Sequence, residues 1–341
     1  MTRSSMASAP ARTAALVISR RRAIWGGALC AAGMATAGAA AADTWPSRPL
    51  RIIVPFPPGG GADGSARVLA EVMGPQLGQN VIVENRPGAG SAIGVTAAAQ
   101  SRDGHTLLMG SNSMVINPAL QPAIGYDVER DFDAVGMVSA QPLVLVVPAS
   151  SSIQSLDGLL AEAKAKPGQL STGNSGYGTL AHLTSELFAA QTGTTLTPVP
   201  YKGESALMPD LIGGLVSAGF LNLPSVIAHV RSGRLRALAV SSPQPVPDLP
   251  GVPTFRALNY PGLEVQGWAA MLAPKDTIAA EGLGRLERLL AAALASEPVQ
   301  KRFAALGVMP TPLGRQATGQ FLKDEAARYA AVIKARNIKV D

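Results

Sequence analysis

Two glycine-rich loops carry the chemistry that this sequence offers most directly. The first lies in Arg51–Met73, RIIVPFPPGGGADGSARVLAEVM, which has the pattern of a short β-branched strand, a proline and glycine loop, and an amphipathic helix. Gly59, Gly60 and Gly61 leave the backbone uncovered, so that several N–H groups can converge where the helix begins. A helix N-terminus carries roughly half a positive charge and binds anions without a basic side chain. The segment therefore predicts an anion site.

The second loop repeats this arrangement later in the chain. Residues 170–188, LSTGNSGYGTLAHLTSELF, again read as a strand, a loop that holds Ser175, Gly178 and Thr179, and a helix. Two such helix N-termini facing one cleft would offer about one positive charge, which suits a carboxylate. The alternative is that both are ordinary strand-to-helix connections, since Gly and Ser are common where helices begin.

A dinucleotide site competes for the first loop. Gly59, Gly61 and Gly64 satisfy G-x-G-x-x-G, and Glu84 follows at the spacing of the acid that binds a ribose. However, Pro55–Pro58 stands between the strand and the glycines, where that fingerprint needs an immediate tight turn. A dinucleotide-dependent oxidoreductase therefore remains the less favoured alternative.

Signals for catalysis are few. Gly173–Tyr177 departs from the G-x-S-x-G nucleophile elbow at its last position, and His182 follows Ser175 too closely for a triad base. A serine hydrolase is thus a still weaker alternative. No zinc-ligand or Walker spacing occurs, so the sequence predicts no catalytic residue, no metal and no cofactor. Asp63 either contacts a ligand or caps its helix, and Trp268 either lines a cleft or packs in the core.

The N-terminal residues predict export. Residues 1–42 hold five arginines and no acidic residue, then an Ala/Gly-rich run, as in a cleavable signal peptide. The run Ser19–Ile24 also fits the twin-arginine route. Removing this leader leaves 24 basic against 23 acidic residues and no cysteine, because Cys30 goes with it. The remaining chain gives no support to nucleic-acid binding, and its length suits two domains.

The rest of the chain alternates predicted strands and helices, which indicates a parallel α/β architecture. Helices are predicted at Leu156–Ala165 and Leu180–Thr192, and an uninterrupted apolar strand at Leu143–Val147. Gly110–Ser113 reads as a polar loop and Ser242–Pro253 as a proline-rich linker.

A series of motifs resembles one known family along the whole chain after the leader. In order, the matching segments are Trp45–Arg51, Val54–Gly60, Val83–Gly90, Asp103–Leu108, Ile116–Leu120, Val199–Gly203 and Gly233–Val240. Together they resemble the Bug-type periplasmic solute receptors of tripartite tricarboxylate transporters.

The resemblance implies a two-lobed periplasmic-binding fold (type II), each lobe a sheet flanked by helices, with a ligand cleft between the lobes. It implies a small organic carboxylate as ligand, permease subunits as partners, a periplasmic location and a monomer. The expected lobes are residues 43–143 with 265–341, and residues 144–264. The expected hinges are Leu143–Val147 and Gly262–Ala270.

Carried onto this chain, the resemblance assigns the ligand to the two glycine loops and to three other segments. The expected binding residues are Phe56, Gly59, Gly60, Gly61, Asp63, Ser111, Asn112, Ser175, Gly178, Thr179, Asn222 and Trp268. Two departures bear on the ligand. Leu221 stands where the family commonly has an acid, which mildly favours a plain organic acid over one with an amino group. Tyr177 replaces a usually smaller polar residue, which changes the expected pocket size.

Overall fold

The computed structural model describes residues 45–338 of the 341-residue chain. The predicted leader and its cleavage site lie outside these residues. The strands are β1 Leu50–Val54, β2 Val81–Asn85, β3 Thr106–Ser111, β4 Phe132–Pro148, β5 Ser171–Asn174, β6 Thr197–Pro200, β7 Ala218–Asn222, β8 Leu235–Val240, β9 Gln266–Pro274 and β10 Met309–Leu313.

The α-helices lie between and after these strands. They are α1 Gly61–Leu77, α2 Ala92–Ala99, α3 Asn112–Leu120, α4 Val128–Asp131, α5 Leu156–Ala165, α6 Leu180–Thr192, α7 Glu204–Ile212, α8 Leu223–Arg231, α9 Ala280–Ala295, α10 Glu297–Ala305 and α11 Arg315–Arg336.

The strands form two lobes that share β4. In the first lobe the order is β2-β1-β3-β9-β4, with β10 also paired to β4. In the second lobe, β6, β5 and β7 run parallel, and β7 and β8 both pair with β4. The carboxyl ends of β1, β3 and β5 each lead into a loop and then a helix. Ligand sites of open α/β sheets lie at such ends.

Strand β4 carries the chain from one lobe to the other. Its first part, Phe132–Pro142, pairs with β9, and its second part, Leu143–Pro148, pairs with β7 and β8. The sequence predicted only the second part, because Ser139 and Gln141 interrupt the apolar pattern of the first. Both polar residues are nevertheless buried, and the Ser139 hydroxyl bonds to Gln141.

Three expectations about local structure were wrong. The sheets are mixed rather than parallel, since β4, β8, β9 and β10 make antiparallel pairs. Gly110–Ser113 is not a loop: β3 runs to Ser111, and α3 begins at Asn112. The segment Ser242–Pro253 is no free linker, because Val246 and Leu249 are buried in the core of the second lobe.

Candidate functional site

One cavity of about 100 Å³ gathers loops from both lobes. That is several times the space that one water molecule requires. Its lining includes Phe56, Pro57, Gly60, Gly61, Ala62, Asp63, Ser111, Asn112, Ser113, Gln141, Ser175, Thr179, Leu180, Ala181, Gly203, Glu204, Ser205, Asn222, Gly267, Trp268 and Ala269. No lysine or arginine is among these described residues, so any attraction for an anion must come from elsewhere.

The first glycine loop brings the N-terminus of α1 to this cavity. Gly60 is the N-cap in an extended conformation, and no side chain caps it. The first helical bond runs from the Gly64 N–H to the Gly60 carbonyl, so the N–H groups of Gly61, Ala62 and Asp63 have no partner within the helix. Gly61 also packs closely on the second lobe: a Cβ there would lie 3.3 Å from the Pro224 side chain.

The second glycine loop brings the N-terminus of α6 to the same cavity. Thr179 is the N-cap, and its hydroxyl accepts a hydrogen bond from the His182 N–H at 3.3 Å. This cap leaves the N–H groups of Leu180 and Ala181 without a partner inside the helix, and both residues line the cavity. The two loops predicted from the sequence are therefore brought together.

Two further helix N-termini, which the sequence analysis did not predict, line the same cavity. Helix α3 begins after Ser111 and α7 begins after Gly203, and neither has a side-chain cap. Each of the four N-termini carries roughly half a positive charge, and two of them also bring an acidic side chain, Asp63 or Glu204, to the lining. Gly203, between β6 and α7, could have indicated the α7 N-terminus from the sequence, because the order of strand, glycine and helix there repeats that of the two predicted loops.

Asp63 supports the first loop from within. Its carboxylate accepts hydrogen bonds from the Gly59 N–H at 3.0 Å and from Asn85 Nδ2 at 2.9 Å, and it pairs with Arg67 at 2.9 Å. Burial alone would raise the pKa of Asp63, but the hydrogen bonds from Arg67, Gly59 and Asn85 hold that pKa below its ordinary value. The carboxylate is thus fully engaged in holding the loop at the start of α1.

Asn112 likewise joins parts of the protein to one another. Its Oδ1 accepts from the Trp268 N–H at 2.9 Å, while its Nδ2 donates to the Gln266 carbonyl at 3.0 Å and to the Tyr329 hydroxyl at 3.1 Å. Trp268 is buried, and its Nε1–H donates to Glu325 at 3.1 Å. The amide of Asn112 therefore fixes α3 against β9 and α11.

Ten of the twelve expected binding residues line the cavity, and two do not. Gly59 has a φ of +91°, and its N–H donates a hydrogen bond to the Asp63 carboxylate. Gly178, at φ +75°, packs on Asn117: a Cβ at Gly178 would lie 1.7 Å from Asn117 Oδ1. The missed lining residues are Pro57, Ala62, Ser113, Gln141, Leu180, Ala181, Gly203, Glu204, Ser205, Gly267 and Ala269.

The residues of the two enzyme alternatives are engaged elsewhere. Glu84 pairs with Arg51 at 3.3 Å and also with Arg86. His182 is buried, which lowers its pKa, and its ring packs edge-on against Tyr177 at 5.2 Å. Among the described contacts, no hydrogen bond joins His182 to Ser175, although a nucleophile and its base need one.

Within residues 45–338, no helix has the length and apolar character needed to cross a bilayer. The same residues hold no cluster of three His, Cys, Asp or Glu side chains placed to bind a metal.

Two α/β lobes that share a crossing strand and enclose a cavity lined by helix N-termini define a periplasmic-binding-protein fold. The chain belongs to the tripartite tricarboxylate transporter receptor family, whose family model matches residues 65–338. This confirms the resemblance carried by the sequence motifs. Protein BugT of Bordetella pertussis is 43% identical over 313 residues, which cover 90% of this chain and 96% of BugT.

Solved structures agree on the fold. The periplasmic binding protein BugD is similar with a TM-score of 0.82 and 31% identity, over 86% of this chain and 99% of BugD. A protein of R. palustris solved with adipate gives the same values. MatC of Rhodopseudomonas palustris, with bound malate, has a TM-score of 0.80 and 26% identity, over 85% of this chain and 100% of MatC.

Proposed function

We propose that this protein is an extracytoplasmic receptor that binds one small organic carboxylate between its lobes and delivers it to the permease subunits of a tripartite transporter. The observation that carries the proposal is the convergence of four helix N-termini on one cavity whose described lining has no lysine or arginine. Oriented N–H groups in a small enclosed space stabilise an anion strongly. The adipate and malate bound to two similar proteins support the same ligand class.

In the proposed complex, one carboxylate lies between α1 and α6. The N–H groups of Gly61 and Ala62 donate from the first lobe, and those of Leu180 and Ala181 donate from the second. The hydroxyl of Ser175 completes the contact. Phe56, Gly60, Ser111, Thr179, Asn222 and Trp268 shape the rest of the space. Gly59, Asp63, Asn112 and Gly178 serve the site by holding its loops and lobes.

Binding in this proposal accompanies closure of residues 43–143 with 265–341 onto residues 144–264. Leu143–Val147 and Gly262–Ala270 are the proposed hinges. Close approaches between the expected lobes support closure: Gly178 meets Asn117, and a Cβ at Gly90 would lie 2.0 Å from the Tyr177 carbonyl oxygen. Hinge closure around a ligand is the ordinary motion of this class of protein.

The proposed role is transport without chemistry, by a monomer that works in the periplasm after its leader is removed. The ion pairs of Glu84 speak against its binding a ribose, and the separate engagement of His182 speaks against a hydrolase. An oxidoreductase would purify with nucleotide absorbance. A hydrolase would react with an acylating probe at Ser175, and Ser175→Ala would abolish that reaction.

The test is a melting screen of the purified protein with dicarboxylates, tricarboxylates, aromatic acids and amino acids. A ligand that binds only the folded state raises the melting temperature. We expect at least one acid to do so, and no shift with any acid would count against a carboxylate receptor.

Two proline variants then test the site. Ala62→Pro removes an N–H at the start of α1, where proline is tolerated. Gln316→Pro makes the same change at the second residue of α11, which likewise follows a glycine N-cap and does not line the cavity. We expect a loss of affinity of tenfold or more for Ala62→Pro alone. Equal losses in both variants would refute the proposed contact.

A further inference from the structure

Glu204 is an acidic side chain at the cavity, and nothing in the sequence patterns singled it out. It is the first residue of α7 and lines the cavity between Gly203 and Ser205. Its Oε1 accepts hydrogen bonds from the backbone N–H and from the Nδ2 of Asn222, each at 2.9 Å. Its Oε2 accepts one from the Ser225 hydroxyl. Three donors therefore fix this carboxylate in one orientation.

These donors belong to the start of α8, for which Glu204 acts as a cap. Asn222 is the N-cap of that helix, and its own side chain does not cap it. A carboxylate at a helix N-terminus is favourable, which explains why Glu204 is held there. Capping does not use all of the hydrogen-bond acceptor positions of the Glu204 carboxylate, however. A carboxylate has about four acceptor positions, so one on Oε2 is left.

The surroundings of Glu204 define what can approach it. None of the described lysine or arginine side chains forms a salt bridge with it or lines the cavity. Burial raises the pKa of the Glu204 carboxyl, and the hydrogen bonds from Ser225 and Asn222 offset part of that rise. A second carboxylate beside Glu204 would bring a further acceptor to the unused acceptor position, whereas a hydroxyl or an ammonium group would supply a donor to it.

We infer that Glu204 selects ligands that carry a hydrogen-bond donor, a hydroxyl or an ammonium group, on the side of the carboxylate that faces α7 and α8. The inference rests on the proposed function and refines its ligand class. It also reverses the expectation drawn from Leu221, because a neighbouring helix supplies an acid next to Asn222.

The test measures the affinity of the wild-type protein and Glu204→Gln for two matched series by titration calorimetry. The series are succinate, L-malate and L-aspartate, and propionate, L-lactate and L-alanine. In the wild type we expect a hydroxyl or amino member to bind at least tenfold more tightly than its plain parent. Within each series, comparison of the hydroxyl member with the amino member separates hydroxyl from ammonium recognition. In Glu204→Gln this preference should fall to threefold or less, with the plain acid unweakened.

Two further variants separate selection from capping. Ser225→Ala removes one of the hydrogen bonds to the Glu204 carboxylate and should lower stability. The preference for ligands with a hydroxyl or ammonium group should persist. Glu186→Gln changes an acid on α6 that does not line the cavity and should leave both properties unchanged.

The inference is overturned if Glu204→Gln weakens all members of a series equally, since the residue then acts only as a cap. It is also overturned if the wild type prefers the plain acids or binds no member of either series. Binding of plain acids without preference would leave the proposed function intact, whereas the melting screen tests that function by itself.

Discussion

The hydroxyl of Ser241 donates a hydrogen bond of 2.6 Å to the carbonyl of Val265, which lies in one of the two proposed hinge segments. The same oxygen accepts from the Leu143 N–H at 2.8 Å. Ser241 is fully buried, and water therefore cannot replace either bond. One side chain thus holds the two proposed hinges together.

Ser241→Ala should lower the free energy of unfolding by about 2 kcal/mol or more, because a buried donor and a buried acceptor lose their partner. Ser242→Ala is the matched control, since its hydroxyl makes a single local bond to the Gln244 carbonyl. Urea unfolding of both variants measures the difference. Equal losses of unfolding free energy in the two variants would show that the bonds of Ser241 to Leu143 and Val265 contribute no more to stability than one local bond.

Gly178→Ala should prevent the close approach of the lobes. The added Cβ would overlap Asn117 Oδ1, at 1.7 Å. We expect a tenfold or greater loss of affinity for whichever acid the melting screen identifies. Gly193→Ala is the control, because Gly193 has a similar φ of +63° and open space around the added Cβ. Both variants carry the left-handed strain of about 1–2 kcal/mol, so only the contact distinguishes them. Similar affinities for the two variants would contradict the closure contact.

Asp63→Asn should make stability less dependent on acid pH. Because the pKa of Asp63 is lower in the folded state than the ordinary value near 3.9, its contribution to stability is present above about pH 4. That contribution is lost as the pH falls through the folded-state pKa. The variant should therefore be less stable at pH 7 and lose less stability on acidification, as measured by urea unfolding from pH 7 to pH 3. Asp248→Asn, which breaks an exposed pair with Arg231, should leave the profile unchanged.

Local patterns predicted the parts of the fold whose apolar spacing is unbroken. The predicted bounds of α5 and α6 agree with the structure, and both glycine loops lie at the cavity. The first half of β4 and all of β9 were missed, because their partners lie far away in sequence. Pairing between distant segments, such as Ala140 with Trp268, buries residues whose local pattern is not that of a strand.

Prediction of the cavity lining from the sequence was limited in the same way. Sequence spacing predicted which loops supply backbone donors, since a glycine loop before a helix is a local feature. It did not predict that the side-chain amide of Asn112 forms hydrogen bonds with Gln266, Trp268 and Tyr329, because those contacts depend on how distant segments pack. Glu204 was missed for a related reason: the donors that hold its carboxylate, Asn222 and Ser225, lie at the start of another helix.

The central claim is that backbone N–H groups at helix N-termini hold the carboxylate of the ligand. The most direct measurement compares, by titration calorimetry, the acid identified in the melting screen with its primary amide of nearly the same shape. Hydrogen bonds to an ionised acceptor are about twice as strong as those to a neutral one. We predict that the amide binds at least 100-fold more weakly than the acid. Equal affinity of acid and amide would contradict the account.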